Sequence, residues 1–344
     1  MIELRSDTFT LPLPEMLETI QYAVLGDDGY SEDPTVKQLE ELAANKLGKE
    51  AGVLLPSGVM ANLASMMAHC PRGTKVLVSN ESDIYIYEAG GASVCGGLIY
   101  EPITTSSDGC LAIDELRKAF PWDTQDPQYA HPALICLENP HNRMGGKVLP
   151  ISYLQEVRQF ADEKKVPIHM DGARIFNAAI ALDIPVEQIA KFSDSVQFCL
   201  SKGLSAPLGS VVVGTHVFVE KVRWIRKMLG GSMRQAGVIA APGIYALTNM
   251  IDRLEEDHQN ARRFANGIAA IPGIEIDVSE VETNIVIFRV SERRVNWITF
   301  IEEARIRGLQ LTEFGYGRIR AVTHSGINSE DIDRAIRIIR DILA

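Results

Sequence analysis

The chain has 344 residues, of which 46% are hydrophobic and 23% are charged, a composition typical of globular rather than disordered or fibrous proteins. At roughly 100–200 residues per domain, this length favours two domains and is sufficient for a large hydrophobic core. The formal net charge of −11 disfavours binding to nucleic acid or to an anionic membrane, because both require a positive surface.

The sequence predicts neither a membrane-bound nor a metal-binding protein. No apolar run approaches the roughly 18 residues of a membrane span, and charges interrupt the opening segment, so we expect no signal peptide and a cytoplasmic location. The histidines lack the His-Glu-x-x-His spacing of a zinc site, and there is no Cys-x-x-Cys pair. We expect reduced thiols at the five cysteines, which are Cys70, Cys95, Cys110, Cys136 and Cys199.

Short apolar runs alternate with longer amphipathic stretches through the middle of the chain, which predicts an α/β domain with a mainly parallel sheet covered by helices. The predicted strands are Gly52–Leu55, Lys75–Ser79, Ala133–Glu138, Val166–Met170, Ser195–Leu200 and Ser210–Gly214. The predicted helices between them are Val59–His69, Pro150–Lys164 and Val186–Lys191.

The last third of the chain has a different pattern. Residues 215–229 and 238–270 are strongly helical, and the second stretch is long enough to connect two lobes. Strand, helix, strand and helix follow, which predicts a large domain over residues 1–245 and a small α+β domain over residues 246–344. These last elements are Ile285–Val290, Asn296–Gly308, Arg318–Thr323 and a helix from Ser329.

Charged side chains follow two of the predicted strands. Asp171 comes directly after the strand that ends at Met170, and Lys202 follows the strand that ends at Leu200. Ligands of open α/β sheets bind at the carboxyl ends of the strands, so both residues are candidates for a site. Taken singly, each is explained as well by a buried ion pair or a solvated loop charge.

A third feature favours a cofactor site. Ser57, Gly58 and Val59 lead from a strand into a helix, where backbone N–H groups and the helix dipole favour a bound phosphate. An amine, a carboxylate and a phosphate site are the parts that pyridoxal phosphate requires. Lys202 would form the Schiff base and Asp171 would pair with the pyridine nitrogen.

The sequence resembles the threonine aldolase family of pyridoxal-phosphate enzymes, in the aspartate-aminotransferase fold group (fold type I). The resemblance runs from Leu4–Thr8 to Arg320–His324, nearly the whole chain. The motifs between them are Gly26–Thr35, Glu138–Arg143, Asp171–Arg174, Leu200–Leu204 and Arg226–Gln235.

The resemblance implies cleavage of L-β-hydroxy-α-amino acids, such as L-threonine and L-allo-threonine, to glycine and an aldehyde. It places Lys202 and Asp171 on the cofactor as above, with Ser201 and Arg174 also near it. Ser6, Arg174 and Arg320 are expected to bind the substrate carboxylate, because arginine grips a carboxylate with two hydrogen bonds. For Arg320, a surface ion pair is the alternative.

The resemblance also implies a homodimer or homotetramer with shared active sites. Arg234 would reach the cofactor phosphate of a neighbouring subunit. Tyr30 is expected to line the substrate pocket, and Glu88 either lines it or has a structural role.

One departure from the family bears on the chemistry. Asp83 stands where the family usually has a histidine that stacks on the cofactor ring, so His141 is the expected base or water-positioning group. The alternative for His141 is a hydrogen-bonded loop histidine. Asp83 would either hold a cationic substrate side chain, hydrogen-bond the cofactor, or turn away from the pocket.

Three smaller departures are expected to remove one hydroxyl contact to the phosphate, to reshape the pocket wall and to stiffen the loop before His141, in that order. Val59 replaces a threonine at the phosphate site, Gly29 and Ser31 replace valine and glycine beside Tyr30, and Pro140 replaces a threonine before His141.

Two other readings of the function stay open. The same cofactor could support transamination, racemisation or β-elimination, because these reactions differ from aldol cleavage in which bond at Cα breaks. A non-catalytic protein with a decayed site is disfavoured by the retention of Lys202, Asp171, Arg174, Arg320 and His141.

Overall fold

The computed structural model of the protein describes residues 1–123 and 126–344. Its strands are β1 (Ile2–Glu3), β2 (Ala51–Leu55), β3 (Lys75–Ser79), β4 (Ile99–Ile103), β5 (Pro132–Glu138), β6 (Ile168–Asp171), β7 (Ser195–Cys199), β8 (Ser210–Gly214), β9 (Ile274–Glu275), β10 (Ile285–Val290), β11 (Leu309–Gln310), β12 (Thr312–Glu313) and β13 (Ile319–Val322). Its α-helices are α1 (Pro14–Glu18), α2 (Pro34–Leu47), α3 (Gly58–His69), α4 (Asp83–Ile86), α5 (Gly91–Val94), α6 (Ile113–Ala119), α7 (Ile151–Lys164), α8 (Ile175–Leu182), α9 (Glu187–Ala190), α10 (His216–Met228), α11 (Gly237–Asn249), α12 (Leu254–Ala269), α13 (Trp297–Ile306) and α14 (Ser329–Leu343).

Seven strands form the large sheet, in the order β2-β8-β7-β6-β5-β3-β4. The pairs from β7 to β4 are parallel, whereas β8 runs antiparallel to both of its neighbours. The predicted α/β class with a mainly parallel sheet is therefore confirmed, and all six predicted strands of this region are present. Only β4 was not predicted, because this edge strand includes Glu101 and Pro102, which weaken the strand pattern.

The register of the central strands places three polar side chains next to one another. Glu138 at the end of β5 pairs with Asp171 at the end of β6, and Asp171 pairs with Gln197 on β7. All three strands are almost completely buried, so these polar groups lie in a buried position at the carboxyl edge of the sheet.

The C-terminal elements have a hydrophobic core of their own. Helices α12, α13 and α14 pack on the antiparallel sheet β12-β13-β10-β9, and α14 buries one face. Ile2 and Leu4 belong to this core as well, and β1 pairs with β11. The N-terminal segment is thus anchored on the C-terminal lobe, which positions Ser6 and Asp7 near the large sheet.

Residues 238–270 do not form the single long helix that the sequence predicts. The helix ends at Asn249 and a new one begins at Leu254. Helix α11 packs on α2 in the core around the large sheet, and α12 packs on α14 in the core of the C-terminal elements. The predicted domain boundary at 245 falls inside α11, and Leu254 still belongs to the core around the large sheet.

Among the described residues, no helix combines the length and the apolar character that crossing a membrane requires.

Candidate active site

A cleft of about 360 Å³ opens at the carboxyl edge of the large sheet. It brings together residues from the ends of β2, β6 and β7 and from the start of α3 and α4. The predicted site residues that line it are Ser57, Gly58, Val59, Asp83, Asp171, Ser201 and Lys202.

Asp171 is a buried carboxylate that accepts hydrogen bonds on both oxygens. Its Oδ1 accepts from Gln197 Nε2 at 2.5 Å and from the Ala173 N–H at 3.1 Å, and its Oδ2 accepts from Asn62 Nδ2 at 2.9 Å. Burial raises the pKa of Asp171, although the nearby Lys202 charge opposes this shift. The carboxylate is therefore held in one orientation by its neighbours.

The N-terminus of α3 presents free backbone donors to the cleft. Ser57 caps the helix, because its Oγ accepts from the Met60 N–H at 3.2 Å. The first helical hydrogen bond runs from the Ala61 N–H to the Ser57 carbonyl at 3.0 Å. The Gly58 and Val59 N–H groups come before it and therefore have no acceptor within the helix. A Cβ on Gly58 would come within 3.0 Å of Cys199 Sγ, so this turn packs tightly against the end of β7.

These groups fit pyridoxal phosphate. The cleft offers the Lys202 amine, the Asp171 carboxylate and a helix N-terminus suited to a phosphate. It also holds two buried polar atoms that have no hydrogen-bond partner among the described residues, Glu88 Oε2 and Gln197 Oε1. Unpaired buried polar atoms are rare in folded proteins, and a bound ligand can supply their partners.

Asp83 faces the cleft and is oriented by the Glu138–Arg143 motif. Both of its carboxylate oxygens accept from Asn142 Nδ2, at 3.0 and 3.1 Å. The Oδ1 of Asn142 accepts in turn from Arg320 Nη1 at 2.9 Å. One amide side chain therefore bridges Asp83 and Arg320, and Asp83 does not turn away from the pocket.

His141 lies behind the cleft and is not among the residues that line it. Its Nε2 is 3.1 Å from Ser79 Oγ, and its side chain is almost completely buried. Burial lowers the pKa of His141 to about 4 despite the attraction of Asp83. The imidazole is therefore neutral at pH 7.

Arg174 forms a buried, two-pronged ion pair with Asp7. Its Nε and Nη2 donate to the two Asp7 oxygens, each at 2.7 Å. Burial alone would raise the pKa of Asp7, but the charges of Arg174, Lys202 and Arg320 outweigh it and lower this pKa. Asp7 follows Ser6 in the first motif of the resemblance but was not among the predicted site residues.

Arg320 is the second buried guanidinium of this region. Its Nη2 donates to the Arg5 carbonyl at 3.0 Å, and it stacks 3.9 Å from the centre of the Phe314 ring. Burial, followed by the charge of Arg174, lowers its pKa to about 10. Ser6 caps the adjacent turn, where its Oγ accepts from the Thr8 N–H at 3.2 Å.

Tyr30 and Arg234 lie at the surface and do not line the cleft. Tyr30 is 75% exposed. Arg234 pairs with Asp27 at 3.1 Å, and its carbonyl accepts from the Asp28 N–H at 2.8 Å, so the two predicted segments are neighbours.

Asn62 and Gln197 line the cleft but were not singled out from the sequence, whereas Glu88, for which a pocket-lining and a structural role were both left open, is among the residues that line it. Asn62 donates from Nδ2 to Glu88 Oε1 at 2.7 Å as well as to Asp171. Burial, reinforced by Asp171, raises the pKa of Glu88 well above its usual value. Gln197 sits in β7. Two sequence features could have identified these residues: Asn62 is a lone amide in the apolar helix α3, and Gln197 is an amide in a strand that is otherwise largely apolar.

Comparison with known proteins shows the family of this chain. The model of the family described as beta-eliminating lyase matches residues 3–292. The chain is 41% identical over 345 residues to a low-specificity L-threonine aldolase of Escherichia coli (strain K12), with full coverage of both chains. It is 40% identical to low-specificity L-threonine aldolase 1 of Arabidopsis thaliana, covering 96% of this chain and 93% of the plant protein.

The structure of the chain is also similar to that of a known threonine aldolase. The structure of a threonine aldolase from Leishmania major superposes with a TM-score of 0.84 at 16% identity, and the match covers 100% of both chains. This likeness confirms the fold group that the sequence motifs predict. The chain therefore belongs to the beta-eliminating lyase family and is a pyridoxal-phosphate-dependent lyase.

Proposed function

We propose that this protein is an aldolase that cleaves L-β-hydroxy-α-amino acids, L-threonine and L-allo-threonine among them, to glycine and an aldehyde. The observation that carries the proposal is the convergence of Lys202, Asp171 and the α3 N-terminus in one cleft, next to two buried arginines. The full-length similarity to low-specificity L-threonine aldolases supports it.

The residues of the cleft have separate roles toward the cofactor. Lys202 would hold it covalently through its amine, Asp171 would pair with its ring nitrogen, and the Gly58 and Val59 N–H groups would bind its phosphate, with Ser57 and Ser201 beside them. When bound, pyridoxal phosphate supplies the electron sink for the electron pair of the breaking Cα–Cβ bond.

The substrate carboxylate binds at the two arginines. Asp7 already occupies two donors of Arg174, whereas the Nε–H of Arg320 has no partner within the described residues. We therefore assign the main contact to Arg320, with Arg174 and Ser6 completing the site.

Asp83, rather than His141, is the group that accepts the proton of the β-hydroxyl. The Asn142 amide links Asp83 to Arg320, so a substrate whose carboxylate lies at Arg320 has its β-carbon near Asp83. No positively charged side chain of the described residues forms an ion pair with Asp83. Its carboxylate is therefore available to accept a proton, or to bind a cationic substituent at the β-carbon.

Replacing Asp83 by asparagine is expected to lower glycine release from L-threonine by about 100-fold or more, because the amide cannot accept the hydroxyl proton. The measurement is glycine release by the cofactor-loaded enzyme from L-threonine, L-allo-threonine, phenylserine and a β-hydroxy amino acid with a cationic tail. The exposed substitution Asp341→Asn serves as the control.

The same panel tests the alternatives. If the cationic substrate is best and Asp83→His shifts the preference toward threonine or phenylserine, Asp83 is a specificity contact instead of the base. If His141→Gln, and not Asp83→Asn, abolishes cleavage, His141 is the base. Formation of a keto acid or a D-amino acid without glycine would instead indicate transamination, racemisation or β-elimination.

We further propose a cytoplasmic homodimer or homotetramer in which Arg234 reaches the cofactor phosphate of a partner subunit. The guanidinium of Arg234 is exposed, and among the described residues its ion-pair partner is Asp27, which leaves further N–H groups for a phosphate. The five cysteines are all free thiols, as in reducing compartments.

Arg234→Ala is expected to raise the cofactor dissociation constant about tenfold, because one charged hydrogen bond to the phosphate is lost. Equilibrium dialysis of the cofactor and analytical ultracentrifugation of the same samples provide the measurement. A monomeric wild-type enzyme, or unchanged affinity in the variant, would contradict the shared site.

A further inference from the structure

A buried hydrogen-bond network runs from Asp171 to the far end of α3. Asn62 Oδ1 is 3.1 Å from His169 Nε2, and His169 Nδ1 is 2.8 Å from Ser195 Oγ. Ser195 Oγ is also 2.8 Å from His69 Nε2. Asn62, His169 and Ser195 are buried, and beyond Asp171 the residues of this network have no role in the proposed reaction.

The elements of the fold bring these residues together. Asn62 and His69 are seven residues apart on α3 and share the face that packs on the sheet. His169 on β6 and Ser195 on β7 are paired in register. Polar side chains at these positions are costly unless every one of them has a partner.

The direction of every hydrogen bond in the network follows from the orientation of the Asn62 amide. Asn62 Nδ2 gives its two hydrogens to Glu88 and Asp171, so Asn62 Oδ1 can only accept. His169 Nε2 must then carry a hydrogen, its Nδ1 accepts from the Ser195 hydroxyl, and Ser195 accepts from His69 Nε2. Burial lowers the pKa of His169 to about 3 and that of His69 to about 4, so both rings are neutral at pH 7.

The network thereby fixes an amide between two carboxyl groups. If Asn62 turned over, its Oδ1 would face both Glu88 and Asp171, and the His169 N–H would lose its acceptor. The charges that face Glu88 are those of Asp171, Asp83 and Lys202. Two carboxyl groups that share one donor in a buried site cannot both ionise at low cost.

We propose that Asn62, oriented by His169 and Ser195, is a positioning residue that keeps a proton on Glu88 and the negative charge on Asp171. Asp171 has three hydrogen-bond donors, whereas Glu88 has one and leaves Oε2 unpaired, so the charge is better stabilised on Asp171. This inference rests on the proposed function, because it takes the pairing of Asp171 with the cofactor ring nitrogen from it.

The distribution of charge matters for cofactor binding. A neutral Asp171 could not hold a protonated ring nitrogen, and the cofactor would be a weaker electron sink. A protonated Glu88, in contrast, can donate from Oε2 to an acceptor in the cleft.

The experiment is a titration of the apo-enzyme with pyridoxal phosphate, followed by the visible absorbance band at several pH values. Asn62→Leu preserves side-chain size but removes the donor, and we expect it to weaken cofactor binding about 10- to 100-fold. The midpoint of the band's pH titration is expected to move by about one unit or more. Ser195→Ala is expected to weaken cofactor binding and to shift the pH midpoint in the same direction, but by less.

Two variants are expected to behave like the wild type. Glu88→Gln mimics the protonated acid and should leave cofactor affinity within about threefold and the midpoint unchanged. Ser65→Ala removes a buried hydroxyl of α3. Among the described residues this hydroxyl donates to the Ala61 carbonyl, and it lies outside the network. Thermal melting of each variant reports any general loss of stability.

Other outcomes would overturn the inference. If Glu88→Gln weakens binding as much as Asn62→Leu, Glu88 is ionised. If Asn62→Leu lowers the melting temperature but leaves the pH midpoint in place, Asn62 is only structural. A wild-type enzyme that binds the cofactor but releases no glycine would refute the proposed function, while the titrations would still report on Asn62.

Discussion

Lys202→Ala is expected to reduce glycine release roughly 10³-fold or more and to abolish the visible absorbance band of the cofactor-loaded protein. Lys202 is the only lysine among the described residues that lines the cleft, so no other amine there can replace it. The measurement compares purified wild type and variant at saturating cofactor and L-threonine.

Two controls separate this effect from a loss of fold. Lys118→Ala removes an exposed lysine of α6 and should leave both activity and spectrum unchanged. The melting temperature of Lys202→Ala should remain close to that of the wild-type apo-protein, because Lys202 is only half-buried. Activity of Lys202→Ala within tenfold of wild type would remove Lys202 from the reaction.

Asp7→Asn is expected to lower the free energy of unfolding by about 3–5 kcal/mol, because it leaves the buried guanidinium of Arg174 without its counter-charge. The exposed pair of Arg263 and Asp333 has the same two-pronged geometry, at 2.7 and 2.8 Å. Asp333→Asn should therefore lower the free energy of unfolding far less than Asp7→Asn, because solvent screens an exposed ion pair. Chemical denaturation of the apo-protein measures both changes.

The pH dependence of the Asp7 effect has a definite sign. The folded protein lowers the pKa of Asp7 below the reference value of 3.8, so the contribution of Asp7 is fully present above that pH. It is lost as the pH falls through the folded-state pKa. The difference between wild type and Asp7→Asn should thus stay constant from about pH 5 to 9 and shrink below about pH 4.

A double-mutant cycle completes this test. Asp7→Asn combined with Arg174→Gln should destabilise the protein less than the sum of the two single changes, because the second change removes the unpaired charge. Strict additivity would mean that the two side chains do not form the pair that the structure contains. The Asp7→Asn enzyme should also have a raised KM, since Arg174 loses its fixed orientation beside the substrate carboxylate.

Much of the large sheet could be predicted from local sequence. The buried strands β5, β6 and β7 are short apolar runs, and Asp171 and Lys202 stand out as the charges that follow two of them. The edge strand β4 and the break between α11 and α12 could not be predicted. Both depend on what each segment packs against, and neither leaves a distinct hydrophobic period.

Some residues of the candidate site could be predicted from the sequence and others could not. Motif positions gave Lys202, Asp171 and the α3 N-terminus, and the structure places all three in one cleft. His141 could not be placed by its motif, because burial behind Ser79 is a property of the packed sheet.

By itself the sequence determined the family, the lyase class, the cofactor and the α/β fold, because these depend on residue types at fixed positions along the chain. Only the tertiary structure decided how the polar side chains pair. Asp7 meets Arg174 across 167 residues, and Asn62 meets Asp171 across 109. Such pairings arise when distant segments are packed together, and they set which of the buried groups carries a charge.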